Sequence, residues 1–159
     1  LKRIDTVKQY NDYVGAETLF PLISVIDFNE ICPIPYFKTY MGVCAVFLKD
    51  VRSGDMLYWL PKLRLKRRHA GFCGSGAGVR CRQQVRGDKT FRLCLSFSSR
   101  FEKRYAACQR DKRVQFFSYQ VNEALHLWKK ERKTIVFCLE KIAEEIQQNI
   151  VRHSKTLIM

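Results

Sequence analysis

No uninterrupted apolar run in the sequence approaches the ~20 residues that a membrane-spanning helix requires, so no such span and no membrane partner are expected. The opening residues, Leu1-Lys2-Arg3-Ile4-Asp5, lack the apolar stretch and small-residue cleavage site of a secretory signal, and a cytoplasmic location is expected. Paired cysteines are also missing. The seven cysteines (Cys32, Cys44, Cys73, Cys81, Cys94, Cys108, Cys138) are odd in number and include no C-x-x-C. His69 and Cys73 are four apart, and would share a face if helical, but two ligands do not complete a zinc site. Free thiols, with no metal and no cofactor, are the expectation.

Catalytic constellations are equally scarce. His69, His126 and His153 have no Ser, Cys or carboxylate at motif spacing, and the adjacent Glu144 and Glu145 point in different directions on a helix. The run Gly74-Ser75-Gly76-Ala77-Gly78 is neither the G-x-G-x-x-G of a dinucleotide fold nor a P-loop, which ends in Gly-Lys-Ser/Thr. An enzyme is not expected.

What is present is enough apolar material for one packed domain. The chain has 159 residues, 47% hydrophobic and 13% aromatic, which is unlike a disordered chain. The formal charge of +14 is concentrated rather than spread. Residues 61–113 hold sixteen Lys/Arg and three Asp/Glu, whereas the other 106 residues carry thirteen basic and twelve acidic side chains. The chain therefore reads as three segments: 1–58, 59–113 and 114–159.

The first segment is strand-rich. Thr18 to Phe28 is apolar and β-branched, with Pro21 confining its early part to an edge. After Pro33 and Pro35 a second apolar run covers Tyr40 to Leu48. Polar turn residues follow from Lys49 to Asp55, and Met56-Leu57-Tyr58 can open a third strand. Short strands separated by turns suggest the front of an antiparallel sandwich or barrel.

The last segment is helical. From about Trp128 to Gln148 the residues Ile135, Leu139, Ile142 and Ile146 recur at intervals of four, three and four, the period of an amphipathic helix. This stripe is either a packing face against the domain's own core or a face that meets a second copy. A further helical stretch can start near Ser154. The middle segment fits neither flank. Its cluster Lys62, Arg64, Lys66, Arg67 and Arg68 offers phosphate contacts by counterion release, with Phe91, Phe97, Phe101 and Tyr105 as stacking faces.

The flanks resemble a known family. Ile4-Asp5-Thr6, Glu17 through Phe28, Phe47-Leu48-Lys49-Asp50 with Gly54-Asp55, Phe116 through Leu127 and His153 through Ile158 are similar to the sensor region of AraC/XylS-type transcription regulators of Bacteroides-type bacteria. The likeness covers about 100 residues, with Phe20 where the family has His and Trp128 where it tends to have Ser. The resemblance implies a small-molecule effector, a homodimer formed through the C-terminal helix, and DNA contact only through a helix-turn-helix domain beyond Met159. The fold it implies is α+β: a partial cupin-like antiparallel β-barrel followed by an amphipathic C-terminal helix, with the middle poorly ordered. The other reading is a basic interaction protein that binds nucleic acid through residues 61–113.

The middle segment resembles the family only when its codons are read one base later. With suitable choices among the degenerate codons, Phe72 to Gly78 can then read Phe-Val-Ala-Pro-Gly-Gln-Val, and Arg92 to Phe101 can read Gly-Tyr-Ala-Leu-Val-Phe-His-Pro-Asp, both in the family's order. A frameshift from about Trp59 to about Arg113 follows, with the basic charge as its by-product. The coding DNA checks this: an open shifted frame with family-like peptides is expected, and stop codons in that frame refute it.

Overall fold

A computed structural model describes residues 2–31, 37–49, 56–58, 69–73, 77–81, 93–98 and 124–156. The first helix lies in the segment read as strand-rich, although Val7, Tyr10 and Val14 recur there at helical spacing. Helix α1 (Val7–Val14) follows the short strand β1 (Lys2–Ile4) and begins at Thr6. The Thr6 hydroxyl accepts a hydrogen bond from the Gln9 amide at 3.1 Å, while the Gln9 side-chain carbonyl accepts from the Thr6 amide. Two otherwise orphaned donors are thereby satisfied, as in any Thr-x-x-Gln capping box. Gly15, at φ 79°, ends the helix in the left-handed conformation that glycine adopts without a Cβ clash.

Eight further strands follow: β2 (Ile23–Asp27), β3 (Phe37–Met41), β4 (Val43–Leu48), β5 (Met56–Tyr58), β6 (His69–Cys73), β7 (Ala77–Cys81), β8 (Leu93–Ser98) and β9 (Ala124–His126). The chain then forms the long helix α2 (Lys129–Thr156). Five strands make one antiparallel sheet in the order β2-β8-β4-β6-β9, and four make a second in the order β1-β3-β7-β5. Only β1 and β3 run parallel among these pairs.

The five-stranded sheet is apolar on both faces. Cross-strand partners share a face, so Ile26, Cys94 and Phe47 line up on one side and Val25, Leu95 and Val46 on the other. The first side closes over α1 and β1 through Ile4, Val7, Tyr10, Val14, Met41, Val43, Ala45 and Cys73. The second is covered by α2, where Val136 and Leu139 meet Leu48, Ala70 and Leu93. Strand β4 is correspondingly buried at every position except Val46.

The antiparallel sheet and C-terminal helix agree with the α+β expectation, but the sheet is open and does not close into a barrel. β2 and β9 stand at its two edges, and α2 lies across one face. The expectation of a poorly ordered middle is corrected for three stretches of it, because β6, β7 and β8 all come from residues 59–113. The runs HAGFC and LCLSFS are short, carry no Lys, Arg, Asp or Glu, and are apolar at every buried position except Ser96, which suits a sheet interior whatever their origin. The rest of that segment lies outside the described residues. The two helical stretches expected after Trp128 are a single 28-residue helix.

The apolar run from Tyr40 to Leu48 is not one strand. It breaks at Gly42, where the chain leaves the four-stranded sheet and enters the five-stranded one. The Gly42 amide donates to the Ile4 carbonyl at 2.6 Å. A Cβ here would lie 2.5 Å from Asp5 Oδ1, 2.9 Å from Asp5 Cα and 3.0 Å from the Ile4 carbonyl oxygen. Backbone rather than a movable side-chain tip supplies two of these contacts, so the corner demands glycine. In α1, the two amide hydrogens of the fully buried Asn11 Nδ2 are shared among the Glu17 carbonyl (3.2 Å), Thr18 Oγ1 (3.1 Å) and Ser24 Oγ (3.1 Å), tying α1 to the chain entering β2. Gly42→Ala is expected to destabilise the protein by about 1–3 kcal/mol, the usual cost of overpacking. The check is a lower urea midpoint at constant m-value, and an unchanged midpoint would contradict the crowding at this corner.

Candidate functional site

The most site-like feature of the described residues is where α2 meets the start of β2. The helix begins without a capping side chain, since Trp128 precedes Lys129 and indole has no acceptor oxygen. Half of a capping box survives: the Trp128 amide donates to Glu131 Oε2 at 2.9 Å. The next turns carry the apolar stripe. Leu127, Val136 and Leu139 are buried and Ile135 is half-buried, all packed on the sheet.

Further along, the stripe lifts away from full burial. Ile142 and Ile146, both half-buried, form the floor of a groove with a volume of about 550 Å³. Phe20 and Ile23 form its apolar wall. Lys141, Glu145 and Asn149, which recur every four residues along α2, add polar groups to its lining. The volume lies in the range of small-molecule sites. Lys141 is held by an ion pair with Glu144, whose hydrogen bond and charge raise the lysine pKa above its ordinary value. Both partners are about half exposed, so the pair fixes geometry more than it stabilises the fold. Lys141 Nζ also stands 5.8 Å from the centre of the exposed Phe137 ring.

The four stripe residues are thus split between two roles: Ile135 and Leu139 pack on the sheet, and Ile142 and Ile146 line the groove. Lys62, Arg64, Lys66, Arg67 and Arg68 lie outside the described residues. His69 and Cys73 do not share a helix face. Both lie on β6, where four residues span ~13 Å, and Cys73 is buried in the core. His69 instead meets His126, its direct partner across the β6–β9 pair. His153 falls in α2. Glu144 and Glu145 diverge as expected, one to Lys141 and the other to the groove.

Three features escaped the sequence reading. The groove wall needs Phe20 and Ile23 beside residues more than a hundred positions later, and no local spacing encodes that. The His69–His126 pairing depends on strand register, which is equally non-local. Helix α1 is a third: residues 1–58 read as strand-rich, although Thr6, Gln9 and Gly15 carry local capping signals.

The cysteines with described side chains form no disulfide, with Cys44, Cys73 and Cys94 buried and Cys138 exposed. Burial pushes the Cys94 thiol up to about 12, only partly offset by its 3.6 Å contact with the Tyr10 hydroxyl. A thiol in that state is a poor nucleophile. In the native protein Cys138 is expected to react with a thiol reagent while Cys44, Cys73 and Cys94 stay protected, as read by mass spectrometry of the labelled peptides. The raised pKa also sets a sign. The unfolded thiol ionises first, so the Cys94 contribution to stability is full below about pH 9 and is lost as pH rises towards about 12. Rapid native labelling of Cys94 would contradict this packing. Among the described residues no three His, Cys, Asp or Glu side chains gather as a metal cluster, and no helix is long and apolar enough to cross a membrane. No protein-family model, curated protein or solved structure matches the chain.

Proposed function

We propose that the chain is the effector-sensing and dimerisation region of an AraC-type transcription regulator, without a helix-turn-helix unit among its 159 residues and with a middle segment read out of frame. The observation that carries this reading is the seating of α2. An amphipathic helix follows an antiparallel sheet, packs its first turns on that sheet, and leaves Ile142 and Ile146 open to a groove of small-molecule size. That order of parts is the one the resemblance implies for a partial cupin-like sensor and its dimer helix. The described groove lies outside the sheet rather than inside a barrel, so a small effector here would bridge α2 and β2. Movement of α2 on binding would then alter the surface offered to a second copy.

A second reading rests on the concentration of charge in residues 61–113, which suits a basic protein that holds nucleic acid through its phosphates. The two readings separate experimentally. Sedimentation equilibrium of the chain is expected to show a dimer that Ile142→Asp with Ile146→Asp converts to a monomer, with helical circular dichroism retained. A chain that is monomeric at micromolar concentration overturns the dimer reading. Salt-dependent binding to arbitrary duplex DNA, abolished by glutamine at Lys62, Arg64, Lys66, Arg67 and Arg68, would favour the nucleic-acid reading.

A further inference from the structure

The open edge of the five-stranded sheet brings together two imidazoles and an indole. His69 on β6 and His126 on β9 are directly opposed in the antiparallel register. Their ring centroids lie 5.3 Å apart with the planes at 80°. Trp128 continues the row, its ring 5.7 Å from that of His126. The edge is open to solvent: His69 is half-buried, His126 is exposed and Trp128 is 71% exposed. His69 itself sits on a fixed support, since the Lys49 amide donates to its carbonyl at 3.0 Å and β6 is paired with β4 on the other side.

We propose that His69 and His126 form a two-imidazole site for a divalent transition ion of borderline softness, namely Cu(II), Ni(II) or Zn(II), with water completing the coordination shell. The spacing supports this. With a metal–nitrogen bond of about 2.0–2.1 Å, each ring centroid lies roughly 3.2 Å from the ion, and a tetrahedral angle then separates two centroids by about 5.2 Å. The observed 5.3 Å matches that separation. The ring planes are not yet aligned for a shared ion. However, the centroid lies close to the Cβ–Cγ axis, so turning the ring about χ2 reorients its nitrogens without moving the centroids apart, and χ2 of histidine is broad.

The donor set also selects the ion. Imidazole suits zinc, copper and nickel, whereas calcium and magnesium require oxygen ligands. Among the described residues no carboxylate joins the pair to make a three-residue cluster, and Lys129 and Lys130 begin the helix three and four positions after His126. The two imidazole nitrogens are the protein ligands on which the described site rests. An ion held there would clip the three-residue edge strand β9 to β6, and with it the chain that enters α2.

Titration of the full chain carrying Cys138→Ser, which removes the thiol that is exposed among the described residues, with NiCl2 at neutral pH tests the site. Saturable quenching of tryptophan fluorescence is expected, with one ion bound by calorimetry. Losing a ligand weakens binding at least as much as losing an outer partner, so His126→Ala should lower the affinity about tenfold or more. His69→Ala should do the same. Trp128→Phe should remove most of the quenching while leaving the calorimetric binding intact, and MgCl2 should give neither signal. His126 is exposed on a short edge strand, so His126→Ala decides the matter even if His69→Ala does not fold. Nickel binding of equal affinity in the parent and in His126→Ala overturns the proposal, as does the absence of binding in the parent.

Discussion

The pairing of β8 with β2 on one side and β4 on the other organises the described core. Each pairing runs along nearly the whole of β8, from Leu93↔Leu48 to Ser98↔Val43 with β4 and from Leu93↔Asp27 to Phe97↔Ile23 with β2. Alternation along this strand decides which side chains face α1 and which face α2. Cys94 enters the core around Tyr10 and Phe47, and Leu93 and Leu95 meet the helix side. A slip of one residue would exchange the two sets, placing the leucines over α1 and the smaller side chains under α2. β4 depends on the same pairing, because a strand buried on both faces has no other way to satisfy its backbone groups.

This dependence shapes the functional surface. α2 is secured where Val136 and Leu139 sit over Leu48, Ala70 and Leu93, which belong to β4, β6 and β8. Beyond that anchor the helix runs past the edge strand β2, and Ile142 and Ile146 line a groove together with Phe20 and Ile23. The groove is thus a consequence of a helix that outruns the sheet supporting it. At the opposite edge, β6 is the one strand paired with β9 among the described residues, and His126 of β9 and the following Trp128 are open to solvent. Both candidate surfaces arise at edges, where the sheet stops and its side chains lack a full set of neighbours.

What was legible in the sequence was local. The period of Ile135, Leu139, Ile142 and Ile146 gives the helix and its stripe, and the apolar runs after Pro21 and around Val43–Leu48 mark β2 and β4. Thr6, Gln9 and Gly15 and the helical spacing of Val7, Tyr10 and Val14 hold the signal for α1, which the strand-rich reading of residues 1–58 passed over. The break at Gly42 was hidden, because the need for glycine comes from Asp5 and Ile4 in another strand. The basic composition of residues 59–113 masked β6 and β8, whose short apolar runs become strands only because β4 and β2 lie beside them. The groove and the histidine pair were likewise beyond local reading, since each joins residues that only the topology brings together.

Hydrogen exchange of the β8 amides tests most directly whether this strand, from the basic middle segment, lies at the heart of the sheet. If β8 lies between β2 and β4, the amides of Leu93–Ser98 that bond to those neighbours exchange as slowly as those of Val43–Leu48, because both open only with the sheet. Fast exchange across Leu93–Ser98, with Val43–Leu48 still protected, would contradict the account and leave β4 to be paired by some other strand.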